Sequence, residues 1–257
     1  RSGNALSFFP NRIAQQMLTN VELTDSDTLC RLFAEVKPDL VINCAGLTKH
    51  LPGSDDPLTV LPINTLLPHR LARLCKLSDA RLVHISTDCI FSGKIGNYSE
   101  DDLPDAADIY GRSKAMGEVA ASHAVTLRTS TIGHELHTTY GLLDWFLSQG
   151  ERCRGFRKAI FSGLPTVVLA GIIRDYVIPR RDLQGIYQVA AEPISKYDLL
   201  RLIADVYGKS IEVEPDESFV IDRSLNPKRF NQATGFYAPA WPELIRIMHT
   251  YQMDLRR

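Results

Sequence analysis

Short runs of nearly continuous apolar residues alternate with longer amphipathic stretches through the first half of the chain. The runs Asn20–Leu23, Asp39–Cys44, Arg81–Ser86 and Val125–Arg128 predict strands, and Asp25–Val36, Pro57–Leu77 and Tyr110–His123 predict the helices between them. Strands without polar alternation are covered on both faces, as in parallel sheets wound by helices. The pattern therefore predicts an α/β fold, a doubly wound parallel sheet. Beyond Arg128 the alternation loosens. Helices are expected at Thr139–Gln149, Ile172–Ile178, Ser195–Tyr207 and Pro242–Met253, with short strands near Ile186–Val189 and Ile211–Val213. We expect a core over residues 1–132 and a smaller, interleaved lobe over 133–257, with parts near 166–207 returning to the core.

Open α/β sheets gather ligands at the carboxyl ends of their strands. Cys44-Ala45-Gly46 and Ser86-Thr87-Asp88 fall at such ends. The stretch from Thr87 to Asp108 is a long loop carrying Gly93, Gly96 and Pro104, and loops of that length in compact domains are usually functional. Just after it, Tyr110 and Lys114 stand one helical turn apart, so an ammonium can lie beside a phenol. A nearby positive charge brings a tyrosine pKa, ordinarily about 10, toward the working range of a proton donor. The bare spacing is common; the strand ends before it make it informative.

Composition narrows the function classes. The 257 residues carry a net charge of -1 with 23% charged side chains, which leaves no basic excess for nucleic acid and no polybasic cluster for a membrane surface. The longest apolar runs, such as Leu164–Ile173, are about half a membrane span. The five cysteines (Cys30, Cys44, Cys75, Cys89 and Cys153) include no C-x-x-C pair, which argues against a disulfide framework and a zinc site and for a reducing cytoplasm. The acidic run Glu100-Asp101-Asp102 reads as a solvated face, and no metal site is expected.

Together, Val41-Ile-Asn-Cys-Ala-Gly46, Ser86-Thr-Asp88 with Phe91 and Gly93, Tyr110-Gly-Arg-Ser-Lys114 with Gly117-Glu118, and Leu127-Arg-Thr-Ser130 resemble the extended short-chain dehydrogenase/reductases. Within them the chain is most similar to the dTDP-4-dehydrorhamnose reductase group, well over residues 20–132 and loosely beyond. The resemblance implies a Rossmann-like sheet and an NADPH-dependent oxidoreductase that reduces a nucleotide-linked 4-keto-6-deoxy sugar for cell-surface polysaccharide synthesis. NADP(H) is the preferred cofactor, with NAD(H) as the other option. Tyr110 would be the general acid, Lys114 would lower its pKa and hold the nicotinamide ribose, and Thr87 would donate to the substrate carbonyl oxygen. Cys44, Ala45 and Gly46 would lie against the cofactor. His134, Arg223 and Ser224 would contact the sugar nucleotide.

Two departures matter. Sugar-nucleotide dehydratases of this superfamily place a glutamate after the Thr-Asp pair; Cys89 stands here, and an ordinary thiol is a poor substitute for that carboxyl group. No G-x-x-G-x-x-G occurs in the sequence, as if the first β-α-β opening were absent, which would leave Arg1 and Ser2 where NADP-preferring relatives meet the adenosine 2′-phosphate. A non-catalytic binding subunit and a sugar-nucleotide epimerase stay open as alternatives. So does the oligomeric state, a homodimer among the options.

Overall fold

The computed structural model describes residues 9–49, 51, 53–136 and 138–255. A four-stranded parallel sheet is built from β1 (Leu40–Asn43), β2 (Arg81–Thr87), β3 (Ala124–Thr129) and β4 (Gly185–Gln188), in the order β1-β2-β3-β4. The two middle strands are buried almost throughout because helices cover both faces. On one face Leu82 and Ala124 pack with Leu29, Leu67, Leu71 and Cys75 from the helices Ser26–Val36 and Leu67–Leu77. On the other, Val83, Val125 and Leu127 join a larger core with Phe146, Ile172, Leu199, Phe230 and Leu244. The expected doubly wound, Rossmann-like α/β architecture is present.

Several boundaries differ from the sequence reading. Asn20–Leu23 forms no strand: Asn20 sits at a φ of 59° and Thr24 turns back to bond the Glu22 carboxylate, so the run is a local turn without a ladder partner. The stretch Pro57–Leu77 is helical, but Pro62–Leu66 is wound as a π turn. Pro62 lacks the amide hydrogen that a regular turn uses, and the wider turn aims Asn64 and Thr65 inward, where both are buried. The helix expected over Tyr110–His123 stops at Met116, because the chain at Gly117 presses against the backbone of Asn64. The helix expected at Ile172–Ile178 starts earlier, at Thr166, and passes into a π turn at Ile173–Val177.

The later residues surround the other end of the sheet. Glu212–Asp216 pairs with Arg152–Phe156, and Ile221–Asp222, Ala159–Phe161 and Ile194–Ser195 form a small three-stranded sheet. Their helices, Lys196–Tyr207 and Trp241–Leu255, share the larger core with β2 and β3. Among the described residues no helix is long and apolar enough to cross a membrane.

Candidate active site

A cleft of about 540 Å³ opens at the carboxyl ends of β1 and β2, lined in part by Cys44, Ala45, Gly46, Thr87, Tyr110 and Lys114. Each arrives there for a local reason. Gly46 follows β1 in a turn held by the buried Asn64, whose Oδ1 accepts from Leu47 N at 2.8 Å and whose Nδ2 donates to Leu47 O at 3.0 Å. The same amide reaches Ser113 Oγ at 3.2 Å on the next helix. Thr87 ends β2 and caps the turn Asp88–Ile90 by accepting from Cys89 N at 3.1 Å, while its hydroxyl donates to Asp88 Oδ1 at 3.1 Å. Tyr110 and Lys114 ride the helix Ile109–Met116, capped by Asp108, whose Oδ1 accepts from Gly111 N at 2.8 Å.

The loop before that helix is firmly built. Phe91 and Tyr98 stack with centroids 4.1 Å apart, and the Tyr98 hydroxyl accepts from the backbone N–H groups of Gly93, Lys94 and Ile95 at 3.0 to 3.3 Å. Gly93 and Gly96 adopt φ of 84° and 76°, and a Cβ on either would strike Ile221 Cγ1 at 2.4 Å or Asp222 Oδ2 at 2.3 Å. The loop is therefore seated on the segment that carries Arg223 and Ser224.

Burial dominates the electrostatics. Lys114 is 5% exposed, donates to Ile85 O at 2.8 Å, and has its pKa pushed down to about 8 by desolvation, against the support of the Glu118 carboxylate. The Tyr110 phenol is pushed up, first by burial and then by Cys89, with the Thr87 hydroxyl pulling the other way. Lys114 is not among the groups that lead this shift: its ammonium serves a backbone carbonyl, and burial of the phenol comes first. Burial also raises the Asp88 carboxyl and takes the Cys89 thiol up to about 11. Cys89 is thus held as a thiol.

Arg223 comes in behind the cleft wall, donating from Nε to Phe91 O at 2.7 Å with Nη1 3.7 Å from Cys89 Sγ. Ser224 is buried and accepts from Asn97 N at 2.7 Å, as part of the loop's seat. His134 stands apart from the cleft-lining residues, 3.3 Å from Asp144 Oδ1 and 2.9 Å from the Tyr207 hydroxyl. Arg1 and Ser2 lie outside the described residues.

Sequence reasoning assigned no role to three contributors. Asn64 was hidden in a stretch read as one helix, although Asn64-Thr65 on an apolar face was the available signal. Glu118 accepts from Ser86 Oγ at 2.7 Å and from Arg128 Nε and Nη2 at 2.9 and 2.8 Å, a buried bidentate pair just past the end of the helix that carries Lys114. Lys49, on the cleft rim, pairs with Asp108 at 2.9 Å. Nothing in the local sequence signals that long-range contact.

Known proteins place this geometry in a family. Over 101 residues the chain is 39% identical to a dTDP-4-dehydrorhamnose reductase of Mycolicibacterium smegmatis, covering 38% of this chain and 30% of that protein. A longer match, 26% identical over 258 residues, covers 91% of this chain and 88% of the dTDP-4-dehydrorhamnose reductase of Aggregatibacter actinomycetemcomitans. The chain spans about a third of the length of the first curated relatives it matches, 30% and 35%. Among solved structures, the dTDP-4-dehydrorhamnose reductase of Bacillus anthracis in complex with NADP superposes with a TM-score of 0.77 at 22% identity, covering 97% of this chain and 95% of that one, and so shares the fold. Residues 9–220 match the family model described as the RmlD substrate binding domain, and the chain belongs to that family.

Proposed function

We propose that this protein is an NADPH-dependent reductase of a nucleotide-linked 4-keto-6-deoxy sugar, of the dTDP-4-dehydrorhamnose reductase kind. The observation that carries the reading is the convergence of Thr87, Tyr110 and Lys114 with the Cys44–Gly46 turn on one cleft. The cleft also fits the nicotinamide end of the cofactor. A Cβ on Gly46 would lie in ordinary contact, 3.5 Å from Asn64 Oδ1 and 3.9 Å from Lys114 Nζ, so this turn forms a wall close beside the ammonium. Such a wall suits a ribose whose hydroxyls accept from a lysine. The NADP complex of the Bacillus anthracis protein supports the choice of cofactor.

Reduced nicotinamide, when bound, supplies the hydride. Tyr110 gives its phenolic proton to the carbonyl oxygen as charge builds there, and Thr87 donates a hydrogen bond to the same oxygen. Lys114 holds the ribose through its ammonium. With Cys89 as a thiol and no carboxylate in its place, elimination of water has no acid–base partner at that position. Arg223, behind Cys89, is the residue we assign to the sugar-nucleotide side, since its planar donors suit a diphosphate. His134 and Ser224 are assigned to shaping that side, within a substrate lobe over 133–257. The five cysteines are free thiols, two of them exposed, which suits a reducing cytoplasm.

The test is NADPH oxidation by the full-length protein with a dTDP-linked 4-keto-6-deoxy sugar. Tyr110→Phe should lose turnover by at least about 100-fold while cofactor binding persists. A parent protein that binds both ligands and never oxidises NADPH would establish a binding subunit, and one that interconverts sugar epimers without consuming added NADPH would establish an epimerase.

A further inference from the structure

Lys49 leaves the loop after β1 and brings its ammonium 5.7 Å from the centroid of the Tyr110 ring. The same ammonium is 2.9 Å from Asp108 Oδ2. The other Asp108 oxygen caps the helix that carries Tyr110. One carboxylate therefore fixes the start of the helix and anchors a cation over the ring of its second residue. The pair is 35% and 42% exposed at the cleft rim, so it is reached by solvent but not dissolved in it.

A cation over an aromatic face favours the electron-rich phenolate over the neutral phenol, and an anion nearby does the opposite. Other charged and titratable groups also face this phenol or its neighbours. Asp88 and Cys89 lie at the end of β2, Lys114 lies on the same helix, and Arg223 and Lys196 act on Asp88 and Cys89 from the later segments. The carboxylates of Asp88 and Asp108 oppose ionisation of Tyr110. Lys49 is the cation held against the ring face itself.

We propose that Lys49 and Asp108 form an opposed charge couple on Tyr110, in which Lys49 stabilises the phenolate left by proton transfer and Asp108 offsets that effect while holding Lys49 in place. At Tyr110 the O–H bond breaks, its proton goes to the substrate's carbonyl oxygen as a hydride reaches the carbonyl carbon, and the phenolate is reprotonated from solvent. Both residues are positioning residues for the acid. The inference rests on the reductase reading of the cleft and deepens it.

The couple is tested by replacing Tyr110 with a fluorinated tyrosine, whose phenol ionises at lower pH, and titrating it by fluorine NMR in the full-length protein. The readout needs no turnover. Lys49→Met should raise the titration midpoint by about half a unit to one unit, Lys49→Arg should leave it at the parental value, and Asp108→Asn should lower it by a similar amount. Asparagine caps a helix as well as aspartate, so the last variant removes charge without removing the cap and decides the matter if Lys49→Met fails to fold. In unfluorinated protein, the pH dependence of NADPH oxidation should shift in the same opposite directions. Midpoints that move together, or stay put, in the Met and Asn variants overturn the couple and leave Lys49 a strut. If the midpoints move as expected but the parent never oxidises NADPH, the couple stands and the reductase reading falls; if the parent turns over and the midpoints do not move, the couple alone falls.

Discussion

Replacing Glu118 by glutamine tests the buried pair beneath the cleft. Glu118 and Arg128 are 5% and 4% exposed at their side chains, and the carboxylate collects three donors, one from Ser86 and two from the guanidinium. In Glu118→Gln one acceptor oxygen becomes an NH2 group that meets a guanidinium N–H head on. The Arg128 charge is then stranded in the interior, where its Nη1 already has no partner among the described residues. Removing one member of such a pair costs about 3–5 kcal/mol. Against a typical total of about 5–15 kcal/mol, that is a large fraction. With a urea m-value of about 2.5 kcal/mol/M, the unfolding midpoint should fall by about 1–2 M. The double variant Glu118→Gln, Arg128→Met removes both charges and should be less destabilised than the two single losses added together, by about 1–3 kcal/mol. A single-variant loss under about 1 kcal/mol, the size of an exposed pair, would refute the reasoning, as would strict additivity.

Gly117→Ala would bring a Cβ to 2.0 Å from Asn64 O and 3.1 Å from Asn64 C, backbone atoms that cannot rotate away. A loss of about 1–3 kcal/mol is expected in denaturant unfolding, together with reduced turnover because Asn64 also holds the β1 turn; an unchanged midpoint would contradict the packing described. Lys114, pushed down to about 8 from its ordinary 10.5, should lose its charge as pH rises through 8, and NADPH turnover should decline on that limb. Between those two values the unfolded chain holds a proton that the folded one has released, so this residue makes stability rise with pH across that window, and Lys114→Met should flatten the rise in pH-dependent unfolding.

The sheet was legible because its middle strands, Arg81–Thr87 and Ala124–Thr129, are buried on both faces, which writes them into the chain as short apolar runs; the edge strand Leu40–Asn43 is apolar as well, though Ile42 is exposed. The cleft was legible for the same reason, since strand ends of a parallel sheet face one way. Asn20–Leu23 has the composition of a strand but no neighbour to pair with among the described residues, and pairing is a tertiary property. The early end of the helix Ile109–Met116 was equally invisible: Gly117 stops it through contact with Asn64, far away in sequence. The phenol's burial could not be read from the Tyr110–Lys114 spacing, because spacing reports proximity and says nothing of how much water is lost. Lys49 and Asp108 are likewise brought together across 59 residues by the fold alone.

Asn64 touches both Leu47 and Ser113 with a single carboxamide, and Thr65 beside it donates to Ser113 O at 2.8 Å. The turn after β1 and the helix that carries Tyr110 are in effect rivetted to one plate. Neither can tilt alone, whereas Arg223 and the stacked Phe91–Tyr98 loop sit on a separate seat behind the cleft wall. Hydrogen exchange should therefore report the Leu47 amide opening in step with the helix amides, while that loop opens independently.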